Sequence, residues 1–288
     1  MSQETTETRT GPAFHQQSPL PVAFSGAPGA YSEEAAHRYF GAGQATLTCD
    51  SPAEAARAVQ DGRALRAVVP VENSITGRFA GMTEVLFDSG LGVVGEVRLP
   101  VRHCLLGAPQ AHLDDISVVT SHPSALAQCR DWLASWGVAT RPASDTAAAA
   151  RELADAREAA LGVLGSRALA ELYGLDVLAE GISDRKDNVT RFLVLARPDD
   201  TPEEVIDTDS WRTGLLVGPV ETPRALKTLR IRLEAFDAWR ARVPFLGSED
   251  GTRFLVEFDH RPEEGAALAA RACEGLPFRI LGSWAPAR

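Results

Sequence analysis

From residue 21 onward the chain repeats one unit: a short apolar strand, a turn of Ser, Thr, Asn, Gly or Pro, then an Ala-rich amphipathic segment. PVAFSG runs through APGAYS into EEAAHRYFG, and ATLTCDS into PAEAARAVQDG. DISVVT is followed by SHP and SALAQCRDWLASWG, GVATRPA by SDT and AAAARELADA, and AALGVLG by Ser166 and RALAELYG. Sustained alternation of strand and helix periods predicts parallel sheets covered by helices. The strand-to-helix turns then gather along one sheet edge, where α/β proteins bind ligands. Helix starts are legible too: Ser32 reads as a cap before EEAAHRYF, and Ser51 as a cap with Pro52 at the first helical position, where its missing N–H costs least.

Two stretches break the rhythm. EVRLPVRHCLLG (96–107) has no helix behind it and reads as a crossing strand, and DVLAEGISDRKDNVTRFLVLAR (176–197) reads as crossing back. The alternating region, 20–198, is therefore expected to be bilobed, with one subdomain of 20–97 and 183–198, a second of 98–182, and a cleft between them. Residues 199–209 are acidic and Pro-containing and read as a linker. Over 210–288 the order becomes β-α-β-β-α-β: RTGLLVGPV, PRALKTLRIRLEAF, DAWRARVPF and TRFLVEFD around GSEDG, EEGAALAARACEG, FRILGSWA. That is the split βαβ order of a small ferredoxin-like domain.

The polar residues 1–19 read as a disordered tail without the basic start and apolar stretch of a secretory signal. No apolar run approaches the ~18 residues of a membrane span, so a cytoplasmic protein is expected. Cys49, Cys104, Cys129 and Cys273 lack CxxC spacing, which argues against a structural zinc site and for buried, reduced thiols. With 29 Lys and Arg against 39 Asp and Glu, the net charge of −10 repels nucleic acid and anionic membranes. An anionic ligand must then be held by local donors.

VENSITG (71–77) ends an apolar run by placing a carboxylate, an amide and a hydroxyl on Glu72, Asn73 and Ser74. Asn73 suits either a pocket wall or an Asx turn. Ser121 can cap the helix opened by Pro123, and Gln128, two helical turns on, can share its face. His122 reads first as a residue that orders its turn. Thr190 and Arg191 are consecutive, so in a strand they point to opposite faces.

Six blocks, GAPGAYSEEAA, VPVENSITG, EVRLPVRHCLLG, SHPSALAQC, AALGVLGSRALAELYGL and DNVTRF, occur in the order in which the prephenate dehydratase family carries them. Over 21–197 the chain resembles that family, with a divergent ACT-like domain behind it. The resemblance implies a periplasmic-binding-protein-like catalytic domain with its site in the cleft, and a decarboxylating dehydration of prephenate to phenylpyruvate in phenylalanine biosynthesis, needing no metal or organic cofactor. Its functional positions fall on Asn73, Ser121, Gln128, Thr190 and Arg191. We expect Thr190 to donate to the leaving hydroxyl, with Glu72 and His122 as rival donors, and Arg191 to take a substrate carboxylate in a bidentate fork. Thr146, Ser32, Glu72 and Phe192 complete the expected binding residues, helped by N–H groups at helix starts.

Two rivals follow from the same residues: arogenate dehydratase, the same elimination on an amine-bearing substrate, and a non-catalytic small-anion sensor built on a similar cleft. Departures from the family pattern are mild in the catalytic blocks, where Ala30 follows Gly29 and Ser124 stands where glutamine is common. They are larger behind. ACT domains that bind phenylalanine carry Gly-Ala-Leu at the first helix and Glu-Ser-Arg-Pro in the second strand; here Pro223-Arg224-Ala225-Leu226 and Arg240-Ala241-Arg242-Val243-Pro244 stand there. Arginine fills space that glycine leaves for close backbone approach, so phenylalanine regulation is expected to be weak or lost. The domain is then retained for contacts in a homodimer or homotetramer. Nineteen leading residues are too few for a chorismate mutase module, and none is expected ahead of the dehydratase.

Overall fold

The computed structural model describes residues 20–200, 210–220, 223–235, 246–247, 251–262 and 264–287. The first lobe runs β1 (Val22–Ser25), α1 (Tyr31–Phe40), β2 (Thr46–Cys49), α2 (Pro52–Gln60), β3 (Arg66–Asn73), β4 (Gly77–Arg78), α3 (Met82–Asp88) and β5 (Gly92–Pro100). The second runs β6 (Cys104–Gly107), β7 (Val118–Ser121), α4 (Pro123–Gln128), α5 (Arg130–Trp136), β8 (Ala139–Pro142), α6 (Thr146–Ala156), β9 (Leu161–Gly165), α7 (Arg167–Tyr173) and β10 (Asp176–Glu180). The chain then returns as β11 (Val189–Ala196) and inserts between β3 and β5, giving the order β2-β1-β3-β11-β5 in the first sheet and β10-β6-β9-β7-β8 in the second. The region 20–200 is bilobed, and two strand-free crossings join its halves side by side, with Val101 N–H on the Asn188 carbonyl at 2.8 Å.

Alanines explain how the helices lie so close to the sheets. Ala35 and Ala36 on α1, Ala55, Ala56 and Ala58 on α2, and Ala149 and Ala150 on α6 are all buried, and small side chains let backbone approach backbone. Ser51 accepts the Glu54 N–H at 3.2 Å, and Ser166 the Leu169 N–H at 3.3 Å, as N-caps do. Ser32 does not cap: α1 starts at Tyr31, Ala30 stands at the cap position, and Ser32 is buried in the first turn. The carboxylate of Glu33 orders this entry instead, accepting Gly29 N–H at 2.6 Å and Thr46 Oγ1–H at 2.7 Å.

Strand β11 carries the core of the first lobe. Phe192 and Val194 pack with Val22, Ala35, Ala36, Val68, Val97 and Leu99 on the α1 side. Leu193 and Leu195 face the other side, toward α2 and α3. Full burial of each such side chain contributes roughly 1.5–3 kcal/mol. Phe192 is thereby corrected from a substrate contact to a core residue: at 1% exposure its ring is spent on packing.

The C-terminal unit runs β12 (Trp211–Val217), α8 (Pro223–Glu234), β13 (Leu246–Gly247), β14 (Phe254–His260), α9 (Gly265–Ala272) and β15 (Phe278–Trp284), in the antiparallel order β13-β14-β12-β15. Residues 223–234 form the first helix, while Arg240–Pro244 lie outside the described residues. One face of this sheet packs Leu215, Val217, Val256 and Phe258 beneath α8 and α9. The other lays Leu216, Leu255, Leu281 and Trp284 on the β11 face that carries Leu193 and Leu195. Two glycines permit the approach: a Cβ on Gly92 would stand 2.9 Å from the Leu281 carbonyl oxygen, and one on Gly282 would overlap that of Val93.

Candidate active site

The end of β3 and the start of β11 meet as an antiparallel pair in which Thr190 lies opposite Asn73 and Arg191 opposite Glu72. One step further Phe192 lies opposite Pro70, so Val71 is the extra residue of a β-bulge. Strand side chains alternate, and Asn73 would otherwise share the face of Val69 and Val71. The bulge moves it to the face of Thr190.

Asn73 then does two jobs. Its Oδ1 accepts Ile75 N–H at 2.9 Å and Thr76 N–H at 3.0 Å, closing an Asx turn. Two backbone donors on the oxygen fix which end of the amide is nitrogen, and Nδ2 donates to Thr190 Oγ1 at 2.9 Å and Asn188 Oδ1 at 2.7 Å. Ser74 ties the same junction: its hydroxyl donates to the Asp187 carbonyl at 2.7 Å and accepts Val189 N–H at 2.9 Å. The polar triplet after the apolar run thus stitches β3 to β11.

The order of donors continues across the crossing. Asn188 Nδ2 donates to Gln128 Oε1 at 2.8 Å, and the same oxygen receives His103 Nε2 at 2.9 Å. An amide oxygen only accepts, so His103 carries a proton on Nε2. Its Nδ1 faces the Tyr31 hydroxyl at 3.2 Å, which also reaches the Arg102 carbonyl at 3.0 Å. Burial pushes the His103 pKa down, against the Gln128 bond, and burial pushes the Tyr31 phenol well above its ordinary range, so both stay neutral near pH 7. One chain of uncharged groups therefore joins Tyr31 and Asn73 of the first lobe to Gln128 of the second through the crossing residues His103 and Asn188.

Among the described residues, the Thr190 hydroxyl proton and the Gln128 Nε2 protons have no acceptor: Thr190 Oγ1 is used as an acceptor, and Gln128 is bonded through its oxygen. These are neutral donors available to a ligand. Asn73, Thr190 and Gln128 are brought together in this way. Ser121 and Thr146 form a separate pair on the second lobe at 3.5 Å, and Ser121 also donates to the Leu164 carbonyl at 2.9 Å. Ser121 does not cap α4; His122 does, accepting Ser124 N–H on Nδ1 at 3.1 Å.

Arg191 is corrected. It is only 6% exposed and points away from Thr190, toward the C-terminal domain. Its Nε donates to Glu96 Oε2 at 2.9 Å, and Nη1 and Nη2 to the two oxygens of Glu257 at 2.7 and 2.6 Å. The cause is strand alternation: with Thr190 toward Asn73, its neighbour must face the other way. A guanidinium committed to two carboxylates is not a free carboxylate anchor. Glu72, opposite Arg191, shares that side and not the side of Thr190. Glu96 also receives Arg212 Nη1 at 3.2 Å, Trp284 Nε1 at 3.3 Å and Ala287 N–H at 2.9 Å. Burial alone would raise the Glu96 carboxyl; Arg191, Arg212 and the Ala287 N–H outweigh it and hold it below its ordinary range. Removing one member of such a buried pair costs about 3–5 kcal/mol.

His103, Asn188 and Tyr31 sit in the blocks EVRLPVRHCLLG, DNVTRF and GAPGAYS, yet their parts in this chain depend on contacts between distant segments. Among the described residues, no three His, Cys, Asp or Glu side chains converge as metal ligands would. No helix there is long and apolar enough to cross a membrane.

Known proteins match this arrangement. The prephenate dehydratase family profile matches residues 22–200. Arogenate dehydratase/prephenate dehydratase 2 of Arabidopsis thaliana, a chloroplastic protein by name, is 40% identical over 280 residues, covering 91% of this chain and 72% of its own length. Arogenate dehydratase/prephenate dehydratase 1 of the same plant is 40% identical over 71% of this chain and 51% of its own; the chain spans about half the length of several such plant relatives. Prephenate dehydratase of Arthrobacter aurescens, solved in complex with L-Phe, superposes with a TM-score of 0.82 at 27% identity, over 93% of this chain and 90% of that one. The quorum-quenching acylase GqqA superposes with a TM-score of 0.81 at 31% identity, over 92% and 97%. By the extent of the family match and of these relatives, the chain belongs to the prephenate dehydratase family.

Proposed function

We propose that the protein is a prephenate dehydratase, converting prephenate to phenylpyruvate, carbon dioxide and water, with arogenate as the alternative substrate. The observation that carries the reading is the Asn73–Thr190 contact, because it leaves a neutral hydroxyl proton to be offered outward. In the reaction the ring carbon–carboxylate bond breaks and its electron pair enters the ring. The carbon–oxygen bond across the ring also breaks, and the departing oxygen leaves as water after gaining one proton. Thr190 supplies the hydrogen bond, and the proton, as that charge develops; solvent restores it. Asn73 N–H on Thr190 Oγ1 stabilises the oxygen while it gives up hydrogen, which is electrostatic assistance confined to the transition state.

Gln128 Nε2 and backbone N–H groups at helix starts, with Thr146 on the second lobe held beside Ser121, are assigned to the side-chain carboxylate. Neutral donors suit a dianion on a chain of net charge −10, because they hold it without pinning the carboxylate that must leave as carbon dioxide. Prephenate is preferred over arogenate on the name of the Arthrobacter aurescens structure, whose match extends over nine-tenths of both chains.

The C-terminal domain is assigned to regulation and assembly as an ACT-type unit, in a homodimer or homotetramer of a cytoplasmic enzyme. Arg224 at the usual glycine position supports weak or absent inhibition by phenylalanine. Purified protein incubated separately with prephenate and arogenate tests the activity: phenylpyruvate from prephenate is expected, and a folded protein that turns over neither substrate contradicts it.

A further inference from the structure

We infer that Arg191 is a positioning residue: gripped from the C-terminal domain by Glu257, it fixes β11 opposite the β3 bulge that brings Asn73 to the face of Thr190. Its kinetic consequence rests on the dehydratase reading.

Thr190 and Arg191 share one peptide unit, and the register irregularity falls immediately after Arg191. A bulge sets which side chains reach which face, and it is held only as firmly as the residues flanking it. On the site side Thr190 is held by the single Asn73 contact. On the far side Arg191 is held by a two-pronged fork on Glu257 and a third bond to Glu96, which together fix the plane of the guanidinium. Among the described residues Arg191 is the hydrogen-bond donor to both Glu257 oxygens, and both residues are buried.

Adhesion alone does not account for this pair. Leu216, Leu255, Leu281 and Trp284 already give the C-terminal domain an apolar docking face against Leu193 and Leu195. A buried ion pair adds little stability compared with apolar residues of the same volume, whereas its directionality is considerable. Direction is what a bulge beside a hydroxyl donor requires.

The test uses Glu257→Gln in the full chain, a substitution remote in sequence from the catalytic blocks and matched in shape. We expect kcat with prephenate to fall about 100-fold, the effect of a small misplacement of a reacting group. KM should stay within about twofold, since binding groups are untouched. Amide hydrogen exchange over 189–196 should accelerate. The double variant Arg191→Met with Glu257→Leu removes both charges of the fork and leaves Glu96 on Arg212, Trp284 and the Ala287 N–H, so it serves if the single variant does not fold; its kcat should remain low. A folded variant of either kind with wild-type kcat overturns the inference. If the wild-type protein turns over no substrate, the functional reading fails separately, and unchanged exchange over 189–196 in Glu257→Gln then overturns the inference by itself.

Discussion

Asn73 donates its side-chain N–H to Thr190 Oγ1 over 2.9 Å while the other end of the same amide holds the Ile75 and Thr76 N–H groups. The two ends can be separated by substitution. Asn73→Asp keeps an oxygen for the turn and loses the donor, placing a proton acceptor against Thr190. Turnover should fall about 100- to 1000-fold, the range for losing one aimed donor, with an unchanged circular dichroism spectrum. Turnover near wild type would show that Asn73 serves the turn alone.

His103 gives a pH dependence with a defined sign. Burial lowers its pKa in the folded protein below the ordinary 6.5, so the unfolded chain binds this proton more readily. The stability contributed by the neutral ring is complete above pH 6.5 and is lost as pH falls from there through the folded value. Melting temperature should drop across that acidic window. His103→Gln, which keeps a donor toward Gln128 and cannot titrate, should flatten the drop; an identical acid limb in the variant would assign it elsewhere.

Gly29 marks where the lobes touch. Its φ of +84° lies in the left-handed region, a Cβ there would overlap a Leu169 methyl on α7, and its carbonyl accepts the Ser166 hydroxyl at 3.3 Å. Gly29→Ala combines backbone strain of about 1–2 kcal/mol with that overlap. We expect kcat/KM to fall about tenfold or more, with little loss of overall helix content. Stopped-flow or steady-state assays of the variant with prephenate will measure it.

The lobes, the places of the crossings and the split βαβ order were legible because they rest on periodicity and punctuation, which are local; the expected crossing strand over 96–107 is instead two strands parted by 101–103. Ser51 caps as read, since a cap depends on residues three apart. Other positions depended on partners far along the chain. Ser32 lost its reading to Glu33, whose carboxylate reaches Thr46. The opposed faces of Thr190 and Arg191 followed from strand alternation, but which one met the site depended on a bulge at Val71 in another strand. Nothing near Arg191 in sequence announces Glu96 or Glu257, and the chain from Asn73 through Asn188 and Gln128 to His103 exists only once four segments meet.

The hydroxyl of Thr190 is the centre of the account, and Thr190→Val removes it while keeping the β-branched shape that suits a strand. The decisive measurement is kcat of that variant with prephenate, beside its melting temperature. We predict a fall of about 1000-fold or more with the melting temperature essentially unchanged. A folded Thr190→Val protein retaining turnover within about tenfold of wild type would contradict the assignment of the proton to Thr190.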